Sequence, residues 1–377
     1  MALVLQSNVA ATKYLHDMYG TVGNADWGVM LDFENQKFKK KSVSIIDNTF
    51  TEEFIFTRNS IAEFTDKNAN TVSVEKNVER IAFDQSLLTK GITVGGLLLE
   101  NARSNYYFPS DAPITKTITL PATSRDWILR VEGTGTMTVS GAITAVITTA
   151  GNTTLTAKQG LEVLFKLSDK TVATDVTFTV SGNLTFCQCE TAILGYYPST
   201  KIHTTIAQSN RAVENAVATS DLASNLSVSG SIAINVLVPE NLLPSTTTAG
   251  ENWLGGILRL TDGTNDVSIG GNFSARSLRI RRFMNNKEYV FSVSQSKRSN
   301  TIAISWGFGT VKVAVNGIYI GESSINENWK PTQLILGGFS SWVTAPFGGI
   351  IRRAVIFKNK LNSVDLAKVS ESYRVDA

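Results

Sequence analysis

Few side chains in this sequence are equipped for catalysis or metal binding. Histidine occurs twice in 377 residues, as His16 and His203. A histidine-dependent triad needs a nucleophile and a carboxylate arranged around the imidazole, and no Ser, His and Asp order here supports one. A structural zinc site needs four nitrogen or sulfur donors. Cys187 and Cys189 stand two apart, on one face of a strand, with no further Cys or His at useful spacing. They read as buried thiols, and two cysteines build no disulfide framework. A glycosidase needs only two carboxylates ~5–10 Å apart, and 32 acidic residues single out no pair. The expectation is a protein that is not an enzyme and holds no cofactor.

Side chains suited to binding are easier to find. Arg276, Arg279, Arg281, Arg282, Lys287, Lys297 and Arg298 form a basic stretch with Glu288 as its only acid. Arg279 and Arg281 fall on one strand face, Leu278 and Ile280 on the other. That face is either a solvated exterior or a set of forks for phosphate or acidic sugar. Trp342 lies in the small-residue loop GFSSWVTAPFGG. An indole there can stack on a sugar, cap the core or fill a subunit interface. Asp262, Asn265 and Asp266 offer oxygen ligands for calcium, or simply a hairpin turn. The run Lys37–Lys41 reads as a solvated turn.

The elements that position these residues are strands. Ile302, Ile304 and Trp306 alternate with smaller residues, as do Val311, Val313 and Val315, the period of a half-buried strand. Asn316-Gly317 then interrupts before Ile318 and Ile320, a strong hairpin signal because both turn residues must take positive φ. A second hairpin pairs Leu258 and Leu260 with Val267 and Ile269 around Asp262-Gly263. Ile350 to Phe357 is apolar on both faces and reads as a central strand. Ser363–Leu366 reads as a helix start capped by Asn362 or Ser363. Further upstream, Thr136, Thr138 and Ser140 alternate with Met137 and Val139, so one face is hydroxyl-rich and the other apolar. Short strands with regular glycine punctuation indicate a β-sandwich over about 114–200. Trp27–Phe33 and Lys41–Ile46 read as strands, and Asn8–Tyr19 as a short helix.

The order of strand, Asn-Gly hairpin, Leu334-Ile335-Leu336-Gly337-Gly338 and closing strand resembles the concanavalin-like jelly roll of laminin-G-like and pentraxin-like domains. A second resemblance lies upstream. Residues 56–110, and above all Leu98-Leu99-Glu100-Asn101-Ala102-Arg103-Ser104-Asn105, resemble a module of tailed-bacteriophage virion proteins. There the second acid stands where Asn101 is found here, and Thr where Ser104 is found. Glu100 and Arg103, three apart, are expected to pair and to fix a junction between domains. The Phe186–Glu190 and Tyr197–Thr200 segments are similar to the close of small sandwiches in such proteins. In architecture this middle sandwich resembles a carbohydrate-binding module.

Composition fits that resemblance. Charged residues make up 18% of the chain, below the usual ~25%, with Thr, Ser, Asn and Gly in their place. Net charge is +3, too small to imply nucleic acid. No apolar run is long enough for a membrane-spanning helix, and the start lacks the basic region of a signal peptide, so synthesis in a host cytoplasm is expected. The expected fold is mainly β, in four parts. These are an irregular N-terminal attachment region (1–113), a Thr-rich sandwich (114–200), a linker (201–220) and the jelly roll (221–377). The resemblance implies a virion location, other virion proteins as partners through the N-terminal region, and a homotrimer. It also implies contact with host-surface polysaccharide, for which Trp342, Arg279 and Arg281 are the candidate binding residues by their chemistry. The alternatives are a decoration or collar protein without ligand, and an envelope polysaccharide depolymerase.

Overall fold

The computed structural model describes residues 27–41, 44–146, 154–192, 199–238, 254–272, 277–294, 298–326, 328–338 and 346–371. The chain is mainly β, built from antiparallel sheets. Two large sheets face each other. One has ten strands, with Gly349–Phe357 at its centre between Gly230–Leu237 and Trp27–Asp32. The expected Asn316-Gly317 hairpin joins Thr310–Val315 to Ile318–Ser324, with φ of 50° and 85° at the two turn residues. The other sheet has seven strands, in the order Lys287–Ser294, Ser277–Met284, Asp266–Asn272, Leu254–Thr261, Gln333–Leu336, Asn215–Ala218 and Phe54–Thr57. Period-two alternation turns Leu258, Leu260, Val267, Ile269, Leu334 and Leu336 inward. They meet Ile232, Ile234, Ile302, Ile304 and Trp306 from the opposite sheet.

Part of the outward face of the ten-stranded sheet is buried too. Ala233, Ala303 and Ala314 are small enough for the helix Ser363–Glu371 to settle on it through Leu366 and Val369. Asn362 caps that helix, its side-chain oxygen accepting from the Asp365 amide at 2.9 Å.

This sandwich takes strands from both ends of the chain. Trp27–Asp32, Lys37–Lys41, Ile45–Asn48, Ile81–Phe83 and Gly95–Leu99 all join the ten-stranded sheet. Phe33, Phe38, Phe50, Phe54 and Phe56 pack in its core. The described residues from 27 to 99 are therefore not an irregular region separate from the jelly roll. Their aromatic residues complete it. Lys37–Lys41 is a strand rather than a turn. Phe38 points into the core, and Lys40, two residues on and on the same face, reaches Glu53 at 3.2 Å and also pairs with Asp221. The helix expected over Asn8–Tyr19 lies outside the described residues.

Between these contributions lies a second pair of four-stranded sheets, spanning Lys116–Thr191. Trp127, Leu129, Met137, Val139, Phe165, Phe178, Cys187 and Cys189 fill its core. Its outward hydroxyls form cross-strand pairs, Thr117 with Thr177 at 2.9 Å and Thr138 with Thr156 at 3.2 Å. The segment 201–220 is not a linker. Ser209–Arg211 pairs with Arg103–Asn105, and Asn215–Ala218 is an interior strand of the seven-stranded sheet. Its low apolar content misleads because its polar side chains, Arg211 and Glu214, are buried in ionic contacts.

Candidate functional site

The outer face of the seven-stranded sheet gathers the basic residues singled out in the sequence. Strand register places Arg259, Ser268 and Arg281 in one cross-strand row. The next row holds Gly256, Gly270, Arg279 and Ser292. Asp266 sits at the base of the first row. Its Oδ1 accepts from Arg281 Nη1 at 2.7 Å, and its Oδ2 from Arg259 Nη2 at 3.3 Å. Arg281 also donates through Nε to Glu288 Oε1 at 2.7 Å. Burial pushes the Asp266 carboxyl up, against the pull of its two arginines.

The two arginines named from the sequence have different roles. Arg281 is only 2% exposed and committed to two carboxylates, so it organises the face rather than offering a free fork. Arg279 is half-buried and has no hydrogen-bond or ion-pair partner among the described residues. The glycine at position 270 contributes no side chain beside it. Two buried polar atoms near the row, Ser268 Oγ and Arg259 Nε, also lack partners among the described residues. Buried polar groups are ordinarily satisfied by protein or by ordered water. A face with a surplus cation and orphaned donors next to a smooth glycine floor can accept the oxygen atoms of an anionic, polyhydroxylated molecule.

The calcium candidate does not assemble. Both Asp262 oxygens are held within the hairpin turn. Oδ1 accepts from the Thr264 and Asn265 amides at 2.9 and 2.7 Å, and Oδ2 from Asn265 Nδ2 at 2.9 Å. Asp266 belongs to the arginines. Among the described residues no group of three His, Cys, Asp or Glu side chains can hold a metal. Trp342 lies outside the described residues. The flanking Gly337, Gly338 and Pro346 all meet the seven-stranded sheet at Gly256. Cys187 and Cys189 are buried in the smaller sandwich, and burial pushes both thiols up. His203 bridges Asp111 at 2.7 Å and Glu63 at 2.8 Å.

A second charge cluster was not anticipated. Arg58, Arg80 and Arg211 are buried with Glu100 and Glu214 where the two pairs of sheets meet. Glu214 takes Arg80 in a two-pronged contact at 2.8 and 2.5 Å, and Arg58 at 2.9 Å. Glu100 meets Arg80 at 2.8 Å and Arg211 at 3.3 Å, and accepts from Thr200 Oγ1 at 2.6 Å. Burial raises the Glu100 carboxyl, but Arg211, Arg80 and Thr200 outweigh it and hold it at about 2. The expected Glu100–Arg103 pair is absent, because Arg103 turns to the Thr191 carbonyl. Asn105 is fully used. Its amide nitrogen donates to the carbonyls of Cys187 and Ile202, and its oxygen accepts from the amides of Tyr107 and Cys189.

No protein-family model and no curated protein matches the chain. Among solved structures it is similar to the carbohydrate-binding module of the Ruminococcus gnavus IT-sialidase bound to α2,3-sialyllactose. Identity is 19%, over 40% of this chain and 86% of that one, with a TM-score of 0.30. Domain 4 of the arabinanase AbnA from Geobacillus stearothermophilus, in complex with arabinotriose, is 15% identical over 47% and 84%, with a TM-score of 0.31. The SAP-like pentraxin of Limulus polyphemus is 10% identical over 38% and 70%, with a TM-score of 0.28.

Proposed function

We propose that this chain is a surface-displayed structural protein of a tailed-bacteriophage particle that captures acidic glycan of the host envelope. The outer face of its seven-stranded sheet is the capturing surface. The observation that carries the binding reading is the half-buried, unpartnered Arg279 beside the orphaned Ser268 Oγ and Arg259 Nε. Leftover buried atoms occur elsewhere too, at Trp127 Nε1 and Arg211 Nε for example, but Arg279 presents a half-buried guanidinium for which a carboxylated sugar supplies acceptors. The virion reading is supported by the Leu98–Asn105 motif and by its use at a rigid junction. In that role the module would hold the two sandwiches in fixed relation.

Individual contacts would be weak and amplified by many copies on one particle. Self-association is favoured by the exposed edge strand Ile45–Asn48, whose Ile45 and Ile46 are 55% and 47% exposed, with Ile55 60% exposed on the edge strand of the facing sheet.

Two measurements test the proposal. Antibody labelling of intact phage particles should place the chain on the particle surface, and a lysate whose particles lack it contradicts the virion reading. Native electrophoresis through gels cast with polygalacturonate should retard the wild-type chain in a salt-sensitive way. Unchanged mobility contradicts the binding reading.

A further inference from the structure

A cleft of about 710 Å³ lies between the two pairs of sheets, within the ~300–1,000 Å³ of ordinary small-ligand sites. It is separate from the arginine face. Phe64 and Phe83, both half-buried, offer ring surface on one wall. Arg130, Glu132 and Lys201 form the other. Glu132 sits between its neighbours, accepting from Arg130 Nη2 at 2.7 Å and from Lys201 Nζ at 2.8 Å. Arg130 and Lys201 both lie over the Phe186 ring, which fixes their positions.

Most wall charges are matched. Glu132 is held by two cations, Asp84 pairs with Arg298, Glu100 with Arg80 and Arg211, and Glu63 with His203, while Lys158 and Glu162 add one charge of each sign. An incoming ion therefore gains little. Hydrogen-bonding capacity nevertheless remains. A carboxylate offers about four lone-pair sites, a guanidinium five donors and an ammonium three, and Glu132, Arg130 and Lys201 each use only part of theirs. Unspent donors and acceptors set side by side, facing aromatic rings, suit a molecule that carries many hydroxyls and no charge.

We propose that this cleft is a second ligand site, for a neutral oligosaccharide. This goes beyond the acidic-glycan reading of the sheet face and does not depend on it. The full-length chain is run through native gels cast separately with dextran, mannan and galactan. Retardation by at least one of the three is expected. Thr71 is an exposed strand residue at the cleft mouth. Thr71→Trp should fill the mouth and cut that retardation about tenfold, with the thermal transition unchanged. Lys201→Met keeps the packing on Phe186 but removes the donor, and should weaken binding severalfold. Arg279→Ala should bind the neutral polymer as the wild type does. No retardation by any of the three polymers overturns the proposal. So does retardation indifferent to Thr71→Trp, or lost in Arg279→Ala instead. The polygalacturonate gels read the sheet face separately, so failure at one site is distinguishable from failure at the other.

Discussion

Two clusters of arginine and carboxylate in this molecule have nearly the same composition and opposite character. At the junction, Arg58, Arg80 and Arg211 enclose Glu100 and Glu214, and each carboxylate is held by two arginines at 3.3 Å or less. On the seven-stranded sheet, Arg259, Arg279 and Arg281 share Asp266 and Glu288, yet one guanidinium stays unpartnered among the described residues and buried polar atoms are left over. In the first every guanidinium is ion-paired, although Arg211 Nε has no partner among the described residues. Its ions were taken out of water once, at folding, and removing one partner strands the rest. The second is open, and its unmet hydrogen-bonding capacity is what a ligand would use. What separates the two clusters is ion pairing of the guanidinium, present for Arg58, Arg80 and Arg211 and lacking for Arg279 among the described residues.

The contrast is sharpest at Glu214. Glu214→Ala leaves Arg58 and most of Arg80 uncompensated and should destabilise the chain by about 3–5 kcal/mol, read as a lowered midpoint in urea. A loss under 1 kcal/mol would break the distinction between the clusters.

Acid should act on the same network. Glu100 is held at about 2 in the folded chain, against an ordinary value of 4.5. A lowered folded pKa gives stability that is full above 4.5 and is lost as pH falls from there towards 2. The difference corresponds to about 3 kcal/mol. Urea midpoints measured between pH 6 and pH 2.5 should fall, and Glu100→Gln should flatten that dependence while lowering stability throughout.

On the sheet face the effects should move from stability to binding. Arg279→Ala should change stability by no more than about 0.5 kcal/mol yet abolish most retention on polygalacturonate. The smallest effect is expected for Ser268→Ala. Removing an orphaned hydroxyl is nearly neutral for folding, and acidic-glycan affinity should drop only about threefold if a ligand oxygen meets it.

Much of the sandwich could be read in advance, and the reasons are local. Asn316-Gly317 and Asp262-Gly263 declare their turns because positive φ restricts residue choice. Ile302, Ile304 and Trp306 declare their strand because one face is core. The assignment of residues 27–99 to the same sandwich was not legible. Antiparallel partners such as Leu31 and Ala354 lie more than three hundred residues apart, and nothing in either strand names the other. The 201–220 segment misled for a related reason, since polar residues signal solvent unless their buried partners are known. Of the candidate site, the arginine pair was visible in the alternation of Ser277–Met284. The carboxylates that occupy Arg281 and spare Arg279 became apparent only through cross-strand register.

Calorimetric titration of an oligogalacturonate hexamer into wild-type, Arg279→Lys and Arg279→Ala chains tests the central claim most directly. The account predicts measurable binding by the wild type, partial retention in Arg279→Lys, and at least a tenfold loss in Arg279→Ala, with all three melting alike. Equal affinity across the three chains, or no heat in any, would contradict it.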